Sequence, residues 1–511
     1  MKTTTTRVAF FGTHIVQSNG YSKVVYELMK GLGAHEDVEL FLFGFQKDRA
    51  KGNTRDVPPN VTVFDAAAYE TPLKKGFGFH LVKDFMALAK PDVVVIFNDL
   101  MVIKLVMDEI EAFAPRPRDF KVIAYIDQVY GSQNRALIEM VNRCADAAIA
   151  FTPSWKDCIV KQGLRLPCDF LPHGLDPMVY YPIPREAVRR YYALPESDYI
   201  VLNLNRNQPR KRWDVCLQAW AEFVGDLWTQ TKDSSPSPSP SPQVQQLRVR
   251  LLVATAITGY WNLLDVYKRE LAKRGVPEDV GMRCIQFIDA PQKMSDREIN
   301  LLYNLCDVGI NTCDGEGFGL CSFEHAAVGK PQIVSDVGGL HDIFGVAQGE
   351  KDENDTEQKQ ACATLVKPCA TFYTNEGEAQ MCSHVDFARA LRFYYDHAEE
   401  GRKHGASARK RILRDFRWPA ISQKLHDIVV STRSEKEPSA SDIPITPPPP
   451  TTTTCNGEET TVIVTNTETN GSDDFSFPTL PQGEKGEEGK DDLRAQMQQL
   501  MKAMEILQRK L

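Results

Sequence analysis

The stretch from Asp314 to Pro331, DGEGFGLCSFEHAAVGKP, holds two carboxylates, Glu316 and Glu324, eight positions apart. Along one continuous helix that spacing is about 12 Å. Carboxylates that share one glycosidic bond stand about 5–9.5 Å apart. The glycines of GEGFG place Glu316 in a loop, and the run after them places Glu324 in a helix. In either geometry the two grip separate parts of an extended ligand instead of acting on one bond. The glycine-rich turn between them exposes backbone N–H groups at a positive helix end. Such a site suits an anionic, hydroxyl-bearing ligand such as a nucleotide sugar.

The matching cations lie upstream, in NLNRNQPRKRWD from Asn203 to Asp214. It follows an apolar run read as a strand and precedes a helical pattern. Arg206 and Lys211 would project from the strand end towards a diphosphate, Arg as a planar fork and Lys as a point charge. The competing reading of Arg210, Lys211 and Arg212 is a solvated basic turn.

The surrounding elements alternate. Val8–Gly12, Val38–Phe45, Val61–Phe64, Val93–Phe97, Val122–Ile126 and Ala147–Phe151 are apolar runs of strand length, with helical spacing between most of them, as in Val24–Leu32. A second series has strands at Ile200–Asn205, Val249–Thr255, Cys284–Ile288, Val308–Thr312, Ile333–Ser335 and Thr364–Val366. Its helices are expected at Val215–Val224, Asn262–Arg274, Ser295–Cys306 and 319–328. Ser295 and Glu298 form a capping-box pattern. The fold class is therefore α/β, with two doubly wound Rossmann-like domains facing across a cleft. The expected division is 1–175, 176–385 and a helical segment 386–430 packing back on the body, interrupted near Arg417–Pro419. The turn-rich join is Pro172–Pro184.

Ser-Pro repeats at 233–243 read as a surface insertion. Residues 431–490 are acidic, Pro/Thr-rich and poor in apolar residues, the composition of a disordered linker. Within 491–511, Leu493, Met497, Leu500, Met504, Leu507 and Leu511 form a heptad stripe. It suits self-association or partner binding, or an amphipathic tail helix that docks on its own body.

The net charge of −8 is carried by the tail, where Ser434 to Lys490 has eleven acids against three lysines. The near-neutral body lacks the basic stripe of a nucleic-acid binder. Twelve scattered cysteines without Cys-x-x-Cys, no signal-like start and no apolar run of spanning length lead to the expectation of a cytoplasmic protein with free thiols and no transmembrane segment. A dinucleotide-binding Gly-x-Gly-x-x-Gly is missing after the first strand, and Gly329-Lys330-Pro331 is not a P-loop.

Strand, Arg206, Lys211 and helix, then EGFGLCSFE about a hundred residues on, resemble the retaining glycosyltransferases of the GT-B fold, family 4 (glycosyl transferases group 1). Cys306-Asp307-Val308, GKPQIVSDVGG and PHGLD fit the same pattern. The wording is similar to members encoded by large DNA viruses of algae. The resemblance spans roughly residues 7–430 and is sharpest over 200–345. It implies transfer of a sugar from a nucleotide sugar, GDP-mannose or a UDP-sugar, to a glycan, lipid or protein-linked acceptor, with no metal or other cofactor. Arg206 and Lys211 match the pair that neutralises the diphosphate. Glu324 matches the ribose grip, and Glu316 the residue near the donor sugar. The backbone of Gly317, Phe318, Gly319 and Leu320 surrounds sugar and phosphate, and Gly20 matches the glycine loop that approaches the phosphates.

Two departures stand out. Family members often have a glycine pair where this chain has Asn19-Gly20-Tyr21, and many carry a His where this chain has Asp127. Asp127 is assigned to the acceptor side as an acid/base or hydrogen-bonding group, or else caps its strand. His173, in the hinge turn, is read as structural, and His325 as facing away from Glu324. Gly338-Gly339 reads as a tight turn. The remaining alternatives are a related epimerase or phosphorylase, or a non-catalytic scaffold.

Overall fold

A computed structural model describes residues 5–47, 55–70, 76–233, 247–289, 291–345 and 361–433. Most of the Ser-Pro insertion, the acidic segment from 434 and the heptad stripe lie outside the described residues. Asp233 belongs to a helix, and residues 431 and 432 end another.

Seven strands form the first sheet: β1 (Thr6–Thr13), β2 (Val38–Phe45), β3 (Val61–Asp65), β4 (Val93–Asn98), β5 (Lys121–Ile126), β6 (Ala147–Ala150) and β7 (Cys168–Phe170). Their order is β3-β2-β1-β4-β5-β6-β7, all parallel. Every residue of VVVIFN in β4 is buried, because helices cover both faces. Those helices are α1 (Gly20–Leu32), α2 (Val82–Ala89), α3 (Leu100–Phe113), α4 (Arg135–Cys144) and α5 (Pro153–Lys161).

After α6 (Arg185–Tyr191) the second sheet begins: β8 (Tyr199–Leu204), β9 (Val249–Ala254), β10 (Ile285–Ile288), β11 (Val308–Asn311), β12 (Gln332–Ser335) and β13 (Thr364–Val366). It is also parallel, in the order β10-β9-β8-β11-β12-β13. Its helices are α7 (Trp213–Asp233), α8 (Leu263–Lys273), α9 (Glu278–Arg283), α10 (Asp296–Leu305), α11 (Leu320–Ala327) and α12 (Gly338–Phe344). The Ser295–Glu298 capping box is formed at α10. In each sheet the order reverses once, between β1 and β4 and between β8 and β11. The crevice beyond the strand C-termini at such a point is the ligand site of open α/β sheets. The loop after β1 leads into Gly20 at the start of α1, and the loops after β8 and β11 carry Arg206 with Lys211, and Glu316.

An antiparallel hairpin, β14 (Pro368–Thr374) and β15 (Gly377–Cys382), follows. The helical segment after it has two breaks, giving α13 (His384–Asp396), α14 (Ala398–Asp415) and α15 (Trp418–Thr432). The second break, at Arg417–Pro419, was expected; the first, at His397, was not. Helix α15 returns to the first domain and lies on α1. A Cβ at Gly31 of α1 would sit 1.9 Å from Ser422 Oγ of α15, so only glycine permits that approach. No helix among the described residues is long and apolar enough to cross a membrane, and all eleven described cysteines are free thiols.

The second domain is pinned by a charge with no exposure. Arg189 of α6 donates to the carbonyls of Leu305, Glu196 and Asp198 at 3.1, 2.8 and 2.7 Å, and to Asp307 Oδ2 at 2.7 Å. Asp307 Oδ2 also accepts from Ile200 N at 2.7 Å, which ties α6, β8 and the start of β11 together. Asp307 is half-buried and keeps a second cation, Arg185 on its Oδ1, so loss of Arg189 chiefly leaves the Leu305, Glu196 and Asp198 carbonyls without their donor, a cost of about 1–3 kcal/mol. Arg189→Met should therefore lower the unfolding free energy by about that amount in urea titrations. A loss below about 1 kcal/mol would show that those carbonyls are satisfied without it.

Candidate active site

Glu316 lies in the loop after β11 and Glu324 inside α11, as the glycine spacing implied. The loop is held from three sides. Gly319 has φ +94°, and a Cβ there would stand 2.5 Å from Leu340 of α12. A Cβ at Gly339 would stand 2.2 Å from the Gly317 carbonyl, so the Gly338-Gly339 pair starts α12 directly under the loop. From the first domain, Trp155 Nε1 donates to the carbonyls of Glu316 and Gly317 at 3.2 and 3.0 Å.

The Glu316 carboxylate is buried and ion-paired twice, to Lys211 Nζ and to Arg210 Nη1, the latter at 3.2 Å. Burial alone would raise its pKa. The two cations outweigh it and hold the carboxyl down at about 2. Lys211 is buried with it. The turn that aims both cations, Pro209–Lys211, closes on Arg212 in the left-handed region at φ +46°. Trp213 Nε1 secures the turn by donating to the Arg206 carbonyl at 3.2 Å. The Arg206 side chain is exposed at the end of β8, outside this triad. Arg210 takes the second position on Glu316, and the sequence reading had left it as one residue of a basic turn.

Asp127 follows β5 on the facing wall. Its Oδ2 accepts from the Tyr21 hydroxyl, while Oδ1 is buried without a hydrogen-bond partner. Oδ1 faces Gly317, where an added Cβ would lie 2.2 Å away. Burial pushes the Asp127 carboxyl up to about 6, against the Tyr21 hydrogen bond and the charge of Arg210. The side chain does not act as a cap on its own strand. Tyr21 belongs to the Asn19-Gly20-Tyr21 departure in the first loop, and its hydroxyl is what orients Asp127.

Gly20, the first residue of α1, faces Leu320, whose Cδ1 would lie 3.1 Å from a Cβ added there. One turn further, Lys23 Nζ reaches Glu324 Oε1 at 3.2 Å and Asp296 Oδ1 at 2.8 Å across the cleft. Glu324 Oε2 accepts from Tyr303 at 2.9 Å. Burial raises the Glu324 pKa in spite of Lys23, and Glu324 and Asp296 hold the Lys23 ammonium well above its usual range although burial opposes it. Arg55 adds a second cross-cleft pair to Asp296 at 3.4 Å. Tyr130 donates to Asp314 Oδ1 at 3.0 Å. Phe318 packs on His173, with ring centroids 4.6 Å apart. Burial takes the imidazoles of His173 and His325 down to about 3, so both are neutral. His325 Nε2 lies 3.1 Å from the Tyr303 carbonyl, turned away from the cleft.

The site thus joins Glu316, Lys211 and Asp127 in one cluster and sets Glu324 in a second, at the other end of the Gly317–Leu320 backbone. Lys23, Tyr21 and Arg210 were not singled out as site residues. Their partners are distant in sequence, and only the departure Asn19-Gly20-Tyr21 marked the first loop as unusual.

Comparison with known proteins supports this architecture. Residues 184–350 match the family model described as Glycosyl transferases group 1. The D-inositol 3-phosphate glycosyltransferase of Acidothermus cellulolyticus is 28% identical over 236 residues, which is 45% of this chain and 46% of that protein. Its namesake from Rhodococcus erythropolis is 30% identical over 173 residues, 34% of each chain. The matches thus span less than half the length of these curated relatives. Among solved structures, sucrose-phosphate synthase from Thermosynechococcus elongatus superposes with a TM-score of 0.59 at 16% identity, covering 83% of this chain and 98% of that one. Anabaena Alr3699/HepE in complex with UDP-glucose gives 0.57 at 15% identity, covering 83% and 100%. The fold is that of the two-domain GT-B proteins.

The depressed Glu316 carboxyl has a consequence for stability. The contribution of its ion pairs is fully present above the ordinary carboxyl value of 4.5 and is lost as pH falls through about 2. Glu316→Gln should lower the unfolding free energy at neutral pH by about 3 kcal/mol. The difference from wild type should shrink steadily as the medium is acidified below 4.5. Urea titrations at several pH values measure this, and a difference independent of pH would rule out the ionised triad.

Proposed function

We propose that this chain is a retaining glycosyltransferase of the family 4 type. It would transfer a sugar from a nucleoside-diphosphate donor to a hydroxyl of a glycan, lipid or protein-linked acceptor. The observation that carries this reading is the buried Glu316–Lys211–Arg210 triad, which lies at the strand-end crevice with Glu324 one helix further on. A UDP-sugar comes first as donor, because the superposed HepE structure holds UDP-glucose; GDP-mannose comes second. The cytoplasmic location, the viral-type relationship and self-association through 491–511 belong to the same proposal.

In this mechanism the bond from sugar C1 to the β-phosphate oxygen breaks, and its electron pair leaves with the nucleoside diphosphate. Lys211, with Arg206 from the strand end, faces the charge that grows there. Fixed cations stabilise that charge more in the transition state than in the ground state, which is the condition for acceleration. Glu316 holds the donor sugar, and Glu324 accepts from the ribose hydroxyls. The acceptor oxygen bonds to C1 on the face the leaving group departs from, so configuration is retained. Its proton passes to Asp127 Oδ1. The two walls approach closely at Gly20–Leu320 and at Asp127–Gly317, where an added Cβ would stand 3.1 and 2.2 Å from the facing side chain. In this proposal the domains would part at the Lys23 ion pairs to admit the donor.

Thermal shift against a panel of UDP- and GDP-sugars tests the donor, since a ligand that binds the folded state raises the melting temperature. With the donor so found, Lys211→Ala should reduce turnover at least about tenfold without changing the fold. Wild-type turnover in that variant would remove Lys211 from the mechanism, and failure of every nucleotide sugar to bind or react would remove the enzyme reading. Transfer that depends on acceptor separates this activity from epimerisation and phosphorolysis, and the anomeric configuration of the product reads retention.

Asp127 sets a pH limb. With its carboxyl at about 6, the rate should rise with pH through that value as the base ionises. Asp127→Asn should lower kcat by about 100-fold or more and flatten the limb. A variant that keeps the limb would assign the ionisation to another group.

A further inference from the structure

A group of metal-ligating side chains lies away from the cleft, where α15 meets the first domain. His35 and Asp37 stand on the connection between α1 and β2, and His426 on α15. His426 Nε2 is 2.9 Å from Asp37 Oδ1 and 3.1 Å from Oδ2. The imidazole of His35 stacks on that of His426, with centroids 4.0 Å apart and an interplanar angle of 15°. One ligand atom from each of the three residues lies within 4.8 Å of the others.

We propose that His35, Asp37 and His426 bind a divalent first-row transition ion, with zinc as the natural occupant. Two imidazoles and one carboxylate are a borderline-soft donor set, suited to zinc, cobalt or nickel and poorly suited to calcium or magnesium. The ion sits between His426 Nε2 and Asp37, in place of the proton they share. The other nitrogen of His426, Nδ1, is buried without a hydrogen-bond partner and points at Asp427 Oδ1, 3.5 Å away. A metal on Nε2 fixes the proton on Nδ1 and draws it towards Asp427, giving the carboxylate–histidine–metal relay that orients many such ligands.

Tetrahedral coordination at about 2.0–2.1 Å places ligand atoms about 3.3 Å apart, so the three must draw in by about 1.5 Å at most. The stacked rings must also splay, because each lone pair lies in its own ring plane. His35 can supply that rotation. It is half-buried on a short connection and carries no packed aromatic besides His426 among the described residues. The Asp37 carboxylate is one-third exposed, at 34%, which leaves a solvent path and a fourth position for water.

The location suggests what the ion does. Helix α15 reaches the first domain after the whole second domain has been built, and His426 is 389 residues from Asp37 in sequence. A metal at this point fastens the returning helix to α1 and β2. It acts on the docking of α15 and leaves the chemistry in the cleft untouched.

The full-length chain, stripped with chelator and desalted, is titrated with Co2+. One Co2+ per chain is expected, with visible d–d bands that Zn2+ abolishes. Zn2+ should also raise the melting temperature. His35→Gln and His426→Gln should each weaken binding at least about tenfold while melting near wild type in chelator. An unchanged Co2+ spectrum and affinity in the double variant overturns the site, as does a near-ultraviolet thiolate charge-transfer band, which would mark a cysteine site. The wild-type titration decides independently of how the variants fold: no d–d bands and no zinc-dependent melting shift overturn the proposal.

Discussion

A carboxylate taken out of water must be paired, and the Glu316 side chain sets the terms for everything around it. Two cations hold it ionised. To reach it, Lys211 and Arg210 need the tight turn after β8, which ends in a left-handed Arg212 and is secured by Trp213. To present it, the loop after β11 needs Gly317 under Asp127, Gly319 at φ +94°, and the Gly338-Gly339 start of α12 beneath it. The sheet order supplies the remaining condition, since β8 and β11 are neighbours on either side of the reversal. One buried ion triad therefore explains why four glycines and a tryptophan stand where they do.

The second constraint is that the domains meet at the site itself. Trp155 grips the Glu316 loop, Tyr130 meets Asp314, and Lys23 and Arg55 reach Asp296. Partly exposed pairs such as Lys23–Asp296 are worth little individually and weaken with salt. The rest of the seam, Trp155 on the Glu316 loop and Tyr130 on Asp314, is buried. The Glu316 triad, by contrast, lies wholly within the second domain and persists when the seam parts. Lys211 and Arg210 are thus held on Glu316 by contacts internal to the second domain.

The sequence carried the fold well, and for a local reason. Strands buried on both faces are continuous apolar runs, and the Ser295 capping box and the GEGFG turn act within a few residues. The β14–β15 hairpin was not read, although TFYTNEGEAQM contains a turn at Asn375–Gly377 and Gly377 has φ +143°. Its first strand gives no apolar alternation, because every residue of β14 is exposed or half-buried and no face of it is packed as core. The positions of Glu316, Glu324 and Lys211 on their elements were legible because a glycine turn, a helical run and a strand end are local patterns. The site was not legible where a partner comes from far along the chain. Arg210, between a proline and a lysine, has the composition of a solvated turn. Only the fold shows that its guanidinium lies against a glutamate 106 positions away.

Of the four cations of the β8 loop Arg212 is taken up by Asp214, and the other three are not equivalent, which bears on the proposed chemistry. Lys211 and Arg210 together bring two positive charges and Glu316 removes one, so the triad presents a net charge of +1 in a buried setting. A donor diphosphate brings more negative charge than that, and its leaving oxygen gains more as the bond to the sugar breaks. In the proposed mechanism Arg206 would supply the missing charge, from an exposed position at the end of β8. Its attraction is weak in water and grows as the closing cleft excludes solvent, because the effective dielectric falls. An exposed arginine at the strand end and a buried lysine on a glutamate then have separate tasks. In that proposal the lysine would be fixed before the donor arrives, and the arginine recruited by it.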